Sequence, residues 1–257
     1  MKKLLALLLA LVMVMSLAAC ATSGDKNGEK ETEQTASTEP SETIGGEEDT
    51  TVAVMTYGEF LAAEIDAKVV IESYIQANQA WWSDDGVGKV TIYLQDAEGA
   101  YFAYEVNCSE EDSAKLIPGT KVRITGDKAE WAGEVEIMNG TIEFLEGEAF
   151  IAEATDVTAL MGTEELAAQM NKLVTIKGLT FKGLSYKDSE WDKDIYVNFT
   201  LGEAEYSFCV ENYLTGPDTD LYKAVEALQA GDVVDVTGFL YWYEGPNTHI
   251  TAVAAAA

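Results

Sequence analysis

The chain is poor in cations: 16 of its 257 residues are Lys or Arg against 45 Asp or Glu, the formal net charge is −29, and Arg123 is the single arginine. So acidic a surface repels phosphate backbones and anionic lipid. That argues against nucleic acid as a partner and leaves cationic or neutral ligands open. Histidine is scarcer still, with His249 alone, so a Ser-His-Asp triad or a His-rich metal site has too few parts. Three cysteines make no disulfide framework, and Cys108 and Cys209 read as small apolar residues in or beside strands. There is no Gly-rich phosphate loop and no CxxC motif. Carboxylates are so abundant that no chosen pair points to glycoside hydrolysis. No cofactor or metal is expected, and the chain reads as a non-enzyme.

One acidic stretch needs separate weighing. "DSEWDKD", from Asp188 to Asp194, places carboxylates at alternate residues like the start of a calcium loop. The sixth and twelfth positions should then be Gly and Glu, but they are Lys193 and Phe199. The match fails, and a solvated hairpin loop is expected.

The amino terminus supplies what the rest lacks, a long hydrophobic run. Lys2 and Lys3 precede an apolar stretch from Leu4 to Leu17, and small residues lead to Cys20. This is an export signal, too short and wrongly flanked for a membrane span. "LAAC", from Leu17 to Cys20, resembles the lipobox of bacterial lipoproteins. The resemblance implies cleavage before Cys20, acylation of its thiol and amine, and attachment at the outer face of the cell membrane. Two or three acyl chains hold durably where one is marginal.

Residues 20–55 are expected to be the lipidated cysteine followed by a disordered acidic linker. The segment is rich in Glu, Thr, Ser and Gly, and Ile44 is almost its only large apolar residue before Thr51. It cannot bury enough surface to offset chain entropy.

Beyond the linker, short β-branched and aromatic runs alternate with Gly, Asn and Asp, which is the texture of an all-β body. It is written twice. "LAAEIDAKVVIESY" from Leu61 aligns with "LAAQMNKLVTIKGL" from Leu166, "KVTIYLQDAEGAYFAYEV" from Lys89 with "DIYVNFTLGEAEYSFCV" from Asp194, and "GTKVRITG" from Gly119 with "GDVVDVTG" from Gly231. Each copy reads as a short helix, a long strand, a hairpin, a helix and two final strands. In the first copy Thr56 and Glu59 make a capping box, and strands are expected near 68–75, 89–95, 100–106, 121–128 and 134–145. In the second, "DTDLYKAVEALQAG" is a helix with Leu221, Val225 and Leu228 on one face and Gly231 as its stop.

Five strands with a helix between the third and fourth are the order of the OB-fold, a small Greek-key barrel. The expected architecture is therefore a signal peptide over 1–19, the linker over 20–55, and two tandem OB-fold-like five-stranded barrels over 56–148 and 158–257, each with short helices. The run from "TYGEFLAAEIDAKVVIESY" to "KVRITGDKAEWAGEVEI" also resembles OB-fold lipoproteins of anaerobic Gram-positive bacteria, closely over 56–145 and more loosely over 160–254. That resemblance implies the fold and the anchor and assigns no site residue.

OB-fold barrels commonly bind on the face of the second and third strands, between two flanking loops. Aromatics collect there: Trp81, Trp82, Tyr93, Tyr101, Tyr104 and Trp131 in the first copy, and Tyr186, Trp191, Tyr196, Tyr206, Tyr241, Trp242 and Tyr243 in the second. Most are expected to pack in barrel cores, since half of each strand faces inward. Trp81 and Trp82 differ, because neighbours on an extended chain point to opposite sides. The candidate ligand-binding residues are Trp81, Trp82, Tyr93, Tyr104, Trp131, Trp191 and Trp242. The expectation is a lipid-anchored cell-surface protein that binds a glycan, a peptide or another non-nucleic-acid ligand through these aromatics. A structural or adaptor role against another envelope protein stands second, and single-stranded nucleic acid ranks last because no basic groove is present.

Overall fold

The computed structural model describes residues 53–256, and the expected signal peptide, Cys20 and most of the linker lie outside them. The described chain forms two closed β-barrels in succession. Among the described residues no helix is long and apolar enough to cross a membrane.

The first barrel opens with α1, Tyr57–Ala62, held by the capping box between Thr56 and Glu59. Its strands are β1 (Lys68–Asn78), β2 (Trp82–Asp84), β3 (Val87–Gln95) and β4 (Ala100–Asn107); then come α2 (Glu110–Ser113), β5 (Lys121–Trp131) and β6 (Glu134–Phe144). They are hydrogen-bonded in the order β1-β5-β6-β4-β3-β2, and β1 also pairs with β3, which closes the barrel. The short strand β2 is an addition to the expected five. It folds the loop between the first two long strands back onto β3.

The second barrel repeats the plan. Short β7 (Thr155–Asp156) leads to two 3₁₀ turns; β8 (Leu173–Tyr186), β9 (Ile195–Leu201) and β10 (Ala204–Val210) follow; then α3 (Asn212–Thr215), α4 (Asp220–Glu226), β11 (Val233–Phe239) and β12 (His249–Ala255). Here β11 pairs with both β8 and β12 and so closes the ring. Strand alternation fills each interior. Val69, Ile71, Val90, Ile92, Leu94, Val122, Ile124 and Ile137 form one core, and Val174, Ile176, Val197, Phe199, Phe208, Val236 and Ile250 the other. Cys108 and Cys209 are free and buried.

The repeated Thr-Gly pair has a steric cause. In both copies the register slips at this point, between Thr125 and Asp127 on β5 and between Thr237 and Gly238 on β11. A Cβ on Gly126 would lie 2.6 Å from the Met138 carbonyl, and one on Gly238 would lie 2.2 Å from the His249 carbonyl. Only glycine lets the strand bulge toward its neighbour so closely.

The connection between barrels is tied down along its length. The Gln76 amide donates to the Gln95 and Phe150 carbonyls and accepts from the Ala152 N–H, while Phe150 packs on the Tyr74 ring.

Candidate functional site

The outer faces of β3, β4 and β6 carry the residues that decide where this protein can bind. On β3, Val90, Ile92 and Leu94 point into the core, so Thr91, Tyr93 and Gln95 point out. On β4 the outward residues include Phe102 and Tyr104, and on β6 they include Glu134 and Glu136, with Glu136 in register beside Phe102. In an isolated barrel this would be the open ligand face.

Here the second barrel covers it. The end of β11 and the loop 240–248 lie across the face, so Tyr93 stacks on Phe239 at 4.5 Å, while Phe102 meets the Tyr241 ring edge-on at 5.2 Å. Tyr241 in turn stacks on His249 at 4.3 Å. Polar contacts ring this aromatic centre. Gln95 Oε1 accepts the Leu173 N–H, the Glu134 carboxylate accepts the Trp242 N–H at 2.7 Å, the Ala132 carbonyl accepts the Glu244 N–H, and the Tyr213 carbonyl accepts the Ala80 N–H.

The hydroxyl of Tyr93 lies 2.6 Å from His249 Nδ1 and accepts from the Gln79 amide. One hydrogen bond thus joins the two rings across the seam. Burial holds the imidazole down at about 4. It is therefore neutral at neutral pH.

Two carboxyls share this dry contact. Glu134 is fully buried, its Oε1 has no partner among the described residues, and burial pushes it up to about 8. Glu136 is nearly as buried and is pushed up to about 7 for the same reason. Neither is in an ion pair among the described residues. A third lies at the far end of the contact: burial first, then the nearby Asp194 charge, raise Glu211, which caps α3 by accepting the Leu214 N–H. Sequence reasoning missed all three, since the alternation in "GEVEI" gives its glutamates the outer face and neither it nor "CVENY" tells what covers them.

The candidate residues therefore part company. Tyr93 is 1% exposed, shut in by the second barrel, and is not a ligand contact in this arrangement. Trp81 donates its indole N–H to the Cys108 carbonyl and packs beside Gly88. Its neighbour Trp82 is exposed, with the Lys89 ammonium 5.0 Å over the ring. Trp242 is half-buried, its ring lying where a side chain on Gly133 would sit. Trp191 is exposed on the loop before β9.

Tyr104 and Trp131 remain on the rim of the contact, 36% and 62% exposed, and Tyr243, which was not singled out as a contact, joins them at 52%. The backbone bond between Ala132 and Glu244 brings the Trp131 hairpin against the Tyr243 loop. Around half-buried Tyr241 the two barrels thus present one exposed aromatic rim.

No family model matches the chain, and no curated protein matches it. Solved structures do. One is a murine DNA-binding protein bound with double-stranded DNA, at 10% identity and a TM-score of 0.35 over 73% of this chain and 96% of that one. Another is the Ifi202 HINa domain in complex with 20-base-pair double-stranded DNA, at 10% identity and a TM-score of 0.34 over 74% and 99%. A third is a replication protein A heterotrimer bound to single-stranded DNA, at 11% identity and a TM-score of 0.32 over 74% of this chain and 49% of that one. The body is all-β, two tandem OB-fold-like barrels. At such identities the likeness is one of fold and assigns this chain no ligand. The matched proteins are described with DNA bound, so the expectation of a glycan or peptide and the exclusion of nucleic acid find no support among them and are withdrawn. The exclusion rested on net charge and the lack of a basic groove, which bear on backbone attraction and not on base stacking.

Proposed function

We propose that the two-barrel body is a non-catalytic recognition module whose working surface is the aromatic rim of the seam, with a single nucleic-acid strand as its ligand class. The observation that carries the proposal is the set Tyr104, Trp131 and Tyr243, contributed by both barrels and left exposed around one fixed contact. Bases stack on such side chains for about 1–3 kcal/mol each, whatever their sequence.

The chain's cations add little to this. Lys68, Lys89, Lys115, Lys121, Arg123, Lys177, Lys187 and Lys193 are all paired with carboxylates. Binding then rests on stacking against a background of like-charge repulsion, which salt screens. The salt dependence should be flat or rising, opposite to that of a binder that works by counterion release. Acylation at Cys20 would place the module at the outer face of a cell membrane.

The test is a fluorescence titration of the full chain with oligothymidine and oligouridine at low and high salt. Support would be micromolar or weaker binding that does not fall with salt and is lost in Trp131→Ala and Tyr243→Ala at unchanged thermal midpoint. No binding of either strand, or equal binding by both variants, would sink the reading.

A further inference from the structure

We propose that the seam is a proton-linked clasp: neutral carboxyl groups at Glu134, Glu136 and Glu211 hold the second barrel down on the outer face of β3 and β4, and their ionisation lets it lift and uncover Tyr93 and Phe102. This goes beyond the rim reading, because the face uncovered is a different surface from the rim.

The geometry carries the inference. Glu134 and Glu136 sit on the covered face of β6 beside each other, with Trp131 and Ala129 in register on β5, Phe102 and Tyr104 on β4, Tyr57 on α1, and Tyr241, the Trp242 amide and Asn171 from the second barrel. Among the described residues neither carboxyl has an ammonium or guanidinium beside it. Two carboxylates in so dry a contact would repel each other and lack water, and separating the barrels is the move that rehydrates both.

Glu211 works at the opposite end. It lies beside Asp194, which accepts the Asn212 N–H and pairs with Lys187, and these two acids fix α3. The Tyr213 carbonyl of α3 is the group that holds Ala80 of the first barrel. His249, between the two ends, faces Tyr93, Tyr241 and the more distant Asp194.

The direction follows from which state holds the proton. A carboxyl raised in the closed state favours closure fully below its ordinary value near 4.5 and loses that hold as pH climbs toward 8 for Glu134 and 7 for Glu136. His249, lowered to about 4, acts oppositely, favouring closure above its ordinary value near 6.5 and losing it as pH falls toward 4. With three acids against one imidazole, the net effect from about pH 5 to about pH 8 is loosening.

The experiment is amide hydrogen exchange on the full chain at about pH 5 and about pH 8, corrected for the intrinsic change in exchange rate. The amides of Ala80, Leu173, Trp242 and Glu244, which bridge the barrels, should lose at least about tenfold in protection relative to amides in the barrel ladders. In the double variant Glu134→Gln, Glu136→Gln that loss should shrink, and Glu136→Gln alone serves if the double variant fails to fold. Unchanged bridging protection in the parent, an undiminished loss in the variant, or ladder amides that fall in step with the seam would each overturn the clasp.

Discussion

Replacing Tyr93 with Phe removes one oxygen from the centre of the seam and should cost more than its size suggests. The ring keeps its stack on Phe239 and its edge contact with Phe102. What is lost is the 2.6 Å bond to His249 Nδ1 and the longer one from the Gln79 amide, and the imidazole is buried under the Tyr241 ring. An orphaned buried polar group costs about 1–3 kcal/mol. For a body of this size that is roughly 2–4 °C of midpoint per kcal/mol. The assay is urea unfolding of the parent, Tyr93→Phe, His249→Phe and the double variant, read as a double-mutant cycle at pH 7. Because both single variants break the same short bond, the double variant should be destabilised by clearly less than the two single effects added, leaving a coupling of at least about 0.5 kcal/mol. Strictly additive single effects, or a neutral Tyr93→Phe, would refute the claim that this bond fastens the barrels.

Three other outcomes are expected. Gly126→Ala and Gly238→Ala should each lower stability by about 1–3 kcal/mol, the usual cost of overpacking, with Gly238→Ala the worse because its Cβ would meet the His249 carbonyl at 2.2 Å; thermal melts check both the loss and the order. Lys128→Met should destabilise by about 1–3 kcal/mol, since the buried ammonium donates to the carbonyls of Leu61 and Ala63 where α1 ends; urea unfolding reads it, and a neutral result would mean that water takes over both carbonyls. Cys20→Ala should release the protein from the membrane fraction of the producing cell, and unchanged partitioning on a gel of soluble and membrane fractions would end the lipid-anchor reading.

The barrels themselves were legible because their pattern is local. Alternating Val, Ile and Leu in "KVVIESYI" and "KVTIYL" already state which side faces in, and the duplication doubled the signal. Helix α1 followed from Thr56 and Glu59 alone. The short strands β2 and β7 were not legible, since "WSD" and "TD" carry no period and owe their pairing to neighbours brought alongside by the fold.

The candidate site divides the same way. Sequence placed aromatics on the outer face and loops, correctly for Trp82 and Trp131 as exposed side chains, because turn position and strand parity settle exposure within one barrel. It could not see that one barrel is the other's lid. Tyr93 and Tyr104 both point outward from the same barrel, yet one is sealed under Phe239 and the other stays on the rim. Glu134 and Glu136 lie on strand positions of solvent parity and are buried all the same. Within each repeat, composition and spacing determined the fold by way of short-range sterics and hydrophobic periodicity. Which outer surface remained surface was decided only when residues more than a hundred positions apart met across the seam, and no local pattern encodes that meeting.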